Sequence, residues 1–115
     1  MVESELIDVG QLKEEDVVKV DVDGRQALLY KKGNKVFAYI DACPHIGGSL
    51  RAVKGTFVCE WHGSRFDVET GKYLSGVAPK DSALIPFPII IRDGKVYYKY
   101  PHDKPRGQWH IAEIR

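Results

Sequence analysis

A chain of 115 residues that is 43% hydrophobic and 29% charged has the composition of one folded domain, which excludes a disordered polypeptide and leaves space for one modest core. Its net charge of +1 offers no electrostatic case for binding nucleic acid or an anionic membrane. The charge is uneven, however: residues 1–25 hold eight acids and three bases, net −5, so the rest of the chain carries +6. That pattern describes two solvated faces, or a polar molecule that orients on a charged partner.

At the start, Met1–Gly10 has acids where a secretory leader has a basic region. No apolar run approaches the ~20 residues that span a bilayer, and the longest, Ala83–Ile91, is interrupted by Pro86 and Pro88. The expectation is a cytoplasmic protein without a membrane anchor, folded as a single domain over residues 1–115.

Strands rich in β-branched and aromatic residues are expected at Glu5–Val9, Val17–Val22, Arg25–Lys31 and Lys35–Ile40, with at most a helical turn at Leu12–Asp16. Asp23-Gly24 and Gly33-Asn34 supply the turns between them. From about 41 to 80 the chain is rich in Gly, Pro and His, with short strands at Thr56–Cys59 and Ser64–Val68 and a turn at Thr70-Gly71. Leu84–Arg92 and Lys95–Tyr100 form a further pair about Asp93-Gly94. Residues 101–115 read as a polar tail whose Pro101 and Pro105 oppose regular structure before Trp109. The sum is an all-β fold, an antiparallel β-sandwich with a loop-rich subdomain over about 41–80, and such a loop segment on a rigid scaffold is where function is placed.

Two motifs stand in that segment: Cys43-Pro44-His45-Ile46-Gly47-Gly48 and Cys59-Glu60-Trp61-His62-Gly63-Ser64. Each offers one thiolate and one imidazole two or three positions apart, so a tight loop can aim both at one point. The glycines after each histidine let backbone approach that point and leave N–H groups to donate. A Cys43–Cys59 disulfide is one use of the only two cysteines, but the nearby histidines point to metal. Three readings remain for the set: unrelated core cysteines and surface histidines, a structural zinc site with four ligands, or a [2Fe–2S] cluster with two histidines on one iron and two cysteines on the other. Zinc fingers usually place both cysteines before both histidines, whereas the order here alternates.

At these residues the sequence resembles the Rieske family. Cys-x-His and Cys-x-x-His are that family's paired motifs, and His62–Asp67 (His-Gly-Ser-Arg-Phe-Asp) is close to the run that follows them. Gly76-Val77-Ala78-Pro79 fits the family's proline loop, and the resemblance covers roughly residues 5 to 100. It implies a Rieske-like fold and one [2Fe–2S] cluster per chain. Cys43 and Cys59 would hold the buried iron, and His45 and His62 the outer one. Ser64 would donate a hydrogen bond to a cluster sulfur. Three departures matter. Residues 46–58 make a shorter connector than usual. Gly48 and Trp61 stand where respiratory members have a disulfide. Phe66 stands where those members have a tyrosine hydroxyl. With one donor present and one missing, the expected potential lies below the respiratory type.

Neutral imidazoles in place of thiolates raise such a cluster's potential. The second nitrogen of each imidazole adds a proton, so the potential is expected to fall as pH rises past the oxidised-state pKa. Ile46, Trp61, Val77, Ala78 and Pro79 are expected as an apolar rim. Arg51, Lys54, Arg65, Lys72 and Lys80 lie in the same region against Glu60, Asp67 and Glu69, and as a group they can steer an acidic partner. His102 and His110 are read as exposed tail residues, and Trp109 and Ile111 either fold back on the sandwich or dock on a partner. No nucleotide-binding glycine loop or hydrolase elbow is present.

The resemblance therefore implies no enzyme but an electron carrier. It would be the ferredoxin component between a flavin-dependent ferredoxin reductase and a terminal aromatic-ring oxygenase, monomeric when free. The alternative is a small Rieske subunit of a larger oxidoreductase such as nitrite reductase.

Overall fold

The computed structural model describes residues 4–42, 49–61, 63–101 and 103–114. Along the chain these form β1 (Ser4–Asp8), a 3₁₀ turn (Val9–Gln11), β2 (Val17–Val22), β3 (Arg25–Lys32), β4 (Lys35–Ile40), β5 (Leu50–Val53), β6 (Thr56–Cys59), β7 (Arg65–Asp67), β8 (Tyr73–Ser75), β9 (Ile89–Arg92), β10 (Lys95–Tyr98), a second 3₁₀ turn (Arg106–Gln108) and β11 (Ile111–Glu113). The strands pair antiparallel in three sheets, ordered β1-β10-β9, β11-β4-β3-β2 and β5-β6-β7-β8. Among the described residues no helix is long and apolar enough to cross a membrane.

The second sheet is central, and the side-chain alternation of β3 and β4 explains why. Ala27-Leu28-Leu29-Tyr30 and Val36-Phe37-Ala38-Tyr39 are continuously buried, as strands covered on both faces are. Ala27, Leu29, Val36 and Ala38 face a core shared with Phe87, Ile89 and Val96, beneath the first sheet. Leu28, Tyr30, Phe37 and Tyr39 face a second core with Leu50, Phe57, Cys59 and Phe66, beneath the third. Register is held by tight turns whose first residue sits at positive φ: Asp23 (51°) before Gly24 (81°), and Asp93 (52°) before Gly94 (74°).

The segment over 41–80 carries a sheet of its own, β5 to β8. Two of its strands, β5 and β8, were not expected from sequence. The β5–β6 hairpin turns on Lys54 (φ 49°) and Gly55 (φ 81°). That is the same turn geometry with a lysine, a weak left-handed former, in place of aspartate. Conversely, the expected strand Leu84–Arg92 shortens to Ile89–Arg92. The residues before it run beside β4 through an isolated bridge of Pro86 to Tyr39, with Ile40 N–H donating to Ile85 O and Phe87 N–H to Ala38 O. Pro86 and Pro88 have no N–H to continue a ladder.

The tail folds back. β11 pairs with the first half of β4 (Ile111↔Phe37, Ala112↔Val36), and Ile111 packs against the second core. The reading of His110 as an exposed tail residue is corrected: it is 4% exposed, beside the Tyr39 ring. Its carbonyl accepts the Ala38 N–H, and this places the imidazole against the sheet. His102 lies outside the described residues.

Candidate metal-cluster site

Of the four expected ligands, Cys59 is described; Cys43, His45 and His62 lie outside the described residues. Cys59 ends β6, 1% exposed, above the second core. There its neighbour Phe57 meets Tyr30 and Tyr39 edge-to-face at 5.3 and 5.5 Å. Such rings are rigid, and Tyr39 is fixed further because its hydroxyl donates to Val68 O at 2.8 Å. Burial drives the Tyr39 phenol pKa far upward, with Asp67 and Glu69 adding to the rise, so it stays a donor.

A closed turn follows. Cys59 N–H donates to Ser64 O and Gly63 N–H to Cys59 O, both at 2.9 Å. Ser64 is fully buried. Its hydroxyl oxygen accepts the Ala78 N–H at 3.1 Å, a contact that does not use the hydroxyl's own proton. That contact fastens the Gly76–Pro79 loop over the turn. Gly76 (φ 107°) packs so closely that a Cβ there would lie 2.5 Å from Ser64 Cα. Tyr73 steadies the loop by donating to Gly76 O at 2.7 Å.

The expected rim is part exposed and part buried. Trp61 and Val77 are 70% and 61% exposed, and Pro79 is exposed too. Ala78 is buried, because its N–H is drawn down to Ser64. Leu74 on β8 is a further half-exposed apolar side chain that was not anticipated. Ile46 lies outside the described residues.

Sequence reasoning also missed a polar cluster at the root of the two loops. Asp41, whose side chain is 1% exposed, is paired with Lys19 Nζ at 3.1 Å. It accepts the Leu50 N–H at 3.0 Å and the Ser49 hydroxyl at 3.2 Å. The available signal was a lysine in the middle of the valine-rich run Val17–Val22.

These residues fit an iron–sulfur cluster. A buried thiol at a rigid strand end is suited to be a soft ligand, a buried hydroxyl has a proton it can offer to sulfur, and glycine admits a loop close overhead.

Fold and site define a small all-β protein with a loop module for a thiolate-held metal group. The family model for the Rieske [2Fe-2S] domain matches residues 3–88. The ferredoxin component of the naphthalene 1,2-dioxygenase system of Pseudomonas putida is 32% identical over 97 residues, 80% of this chain and 89% of that one. The ferredoxin component of the naphthalene 1,2-dioxygenase/salicylate 5-hydroxylase systems of Ralstonia sp. is 33% identical over 96 residues, 79% and 88% of the two chains. Among solved structures, the Sphingomonas yanoikuyae B1 ferredoxin superposes with a TM-score of 0.73 at 23% identity, covering 87% of this chain and all of that one. This chain belongs to the Rieske [2Fe–2S] domain family, and its cofactor is a [2Fe–2S] cluster.

Proposed function

We propose that Cys43, His45, Cys59 and His62 hold one [2Fe–2S] cluster per chain. The protein is then the ferredoxin component that relays single electrons from a flavin-dependent reductase to a terminal aromatic-ring oxygenase. The observation that carries the reading is the Cys59–Ser64 turn, which holds a buried thiol and a buried donor hydroxyl under the Gly76–Pro79 loop. Ferredoxin components of dioxygenase systems, at 32–33% identity, support the partner class.

When bound, the cluster supplies reversible one-electron transfer. The protein positions it and excludes water. Cys43 and Cys59 contribute thiolates, while His45 and His62 contribute neutral nitrogens and keep a proton on their second nitrogen. Ser64 donates to sulfur. Trp61, Leu74 and Val77 offer exposed apolar surface on which a redox partner can seat. Such a carrier acts in the cytoplasm, catalyses nothing alone and runs as a monomer on size-exclusion chromatography. A small subunit of a larger oxidoreductase would elute with its complex.

The test is low-temperature EPR before and after dithionite, with iron and sulfide assayed on the same sample. Two irons, two sulfides and a rhombic signal on reduction only, at an average g below that of all-cysteine clusters, are expected. A colourless, EPR-silent protein that contains zinc would overturn the reading.

A further inference from the structure

The chain leaves the central sheet at Ile40 and enters the third sheet at Leu50, and the segment between carries Cys43 and His45. Both ends of that segment are gripped by one carboxylate. Asp41 Oδ1 accepts the Leu50 N–H, while Oδ2 accepts the Ser49 hydroxyl and lies 3.1 Å from Lys19 Nζ. The Asp41 N–H is itself held by Gln26 O on β3 at 2.9 Å. Lys19, on β2, donates also to Ser49 Oγ at 2.6 Å and stands 3.9 Å from Glu60 Oε1 in the second motif. Ser49 O accepts the Glu60 N–H at 2.9 Å. Ser49 is thus a node common to both loops.

A carboxylate with 1% of its side chain exposed needs compensation, because an unpaired buried charge is costly. Here it has a cation and two hydrogen-bond donors. The Lys19–Glu60 contact adds little, since Glu60 is half exposed. Asp41 precedes Cys43 by two positions, so its charge lies in the electrostatic neighbourhood of any cluster held there. An uncompensated negative charge opposes the gain of an electron, and Lys19 cancels it.

We propose that Lys19 and Asp41 are positioning residues, a charge-neutral clasp that closes the first cluster loop, ties it to the second through Ser49, and keeps the buried carboxylate from lowering the reduction potential. The inference rests on the ligand set proposed above. Asp41→Asn keeps the shape and an acceptor for Leu50 N–H while it removes the anion. Lys19→Met removes the cation.

The test compares the midpoint potential at pH 8, and the rate of iron release to a ferrous chelator, across the holo parent, Asp41→Asn, Lys19→Met, the double variant and Asp41→Ala. The parent is first shown to hold two irons and two sulfides with the rhombic EPR signal; failure there removes the ligand reading, whereas the clasp stands or falls on the variants. The potential is expected to rise in Asp41→Asn, to fall in Lys19→Met and to lie between these in the double variant. Asp41→Ala, which leaves Leu50 N–H and Ser49 without their acceptor, is expected to release iron about tenfold faster or more. The proposal is overturned if the two single charge variants shift the potential in the same direction or not at all. It is equally overturned if Asp41→Ala retains iron like the parent.

Discussion

Toward the base, β3 and β4 bury Ala27, Leu29, Val36 and Ala38 against Phe87, Ile89 and Val96; toward the cluster module the same strands bury Leu28, Tyr30, Phe37 and Tyr39 against Leu50, Phe57 and Phe66. The first face is mostly aliphatic, and its one stacked ring pair, Phe87 with Tyr98 at 4.7 Å, lies away from β6. The second is aromatic, packs ring edge against ring face, and includes a hydroxyl bonded to the backbone after β7. An aliphatic core tolerates small shifts by repacking, whereas rings of fixed shape with a polar handle transmit them. The difference teaches that the base supplies stability and the upper core supplies geometry, because Cys59 stands directly on it.

The sharpest way to break that division is at the top of the module. In Gly76→Val, the new Cβ would meet Ser64 Cα, which is backbone and cannot step aside. Loss of most of the cluster is expected, read as iron per chain, with the circular-dichroism spectrum of the sandwich retained. Next come matched truncations of the two cores. Phe57→Ala is expected to cost about 3–5 kcal/mol and Leu29→Ala about 2–5 kcal/mol in denaturant titrations. Only Phe57→Ala is expected also to change the EPR spectrum and the potential. If Leu29→Ala moves them equally, the division fails.

Smaller effects test the donors. Ser64→Ala removes the acceptor of the buried Ala78 N–H, expected to cost about 1–3 kcal/mol, and is expected to lower the potential through loss of the proposed donor to sulfur. Phe66→Tyr is expected to raise the potential in protein-film voltammetry.

The smallest effect concerns His110. Its Nε2 lies 3.1 Å from Glu69 O, and a carbonyl only accepts, so the proton sits on Nε2 and Nδ1 is bare and buried. Burial holds its pKa below the ordinary 6.5, although the Glu69 contact opposes this. As pH falls, the unfolded chain therefore takes up this proton first. The stabilisation is complete above pH 6.5 and is lost as pH falls below it toward the folded pKa. Urea midpoints at pH 7.5 and 5.5 should differ less in His110→Gln than in the parent.

Much of this architecture could be read beforehand, and the exceptions have physical reasons. β2, β3, β4, β6 and β10 follow from β-branched runs punctuated by turn residues. β5 and β8 are four and three residues long and have little apolar patterning of their own; they form because a neighbouring strand offers a ladder. β11 and the burial of His110 depend on a partner far away in sequence, which local pattern cannot name. The candidate ligands were legible as paired motifs. The Lys19–Asp41–Ser49 cluster was not, because its members lie on separate elements and meet only in the fold.

One feature of the tail reaches beyond the folded chain. β4 reads Lys-Val-Phe-Ala-Tyr-Ile, a short uncharged apolar run after its first residue, and one of its two edges is covered by residues 110–113 and 85–87. Without the tail, which lies outside the stretch matched by the family model, the first half of that edge would present unpaired N–H and C=O groups to any passing chain. Residues 110–113 thus cover an edge that would otherwise be open to edge-to-edge pairing. Truncation after Tyr100 is expected to show itself first as concentration-dependent self-association, before any change in the potential.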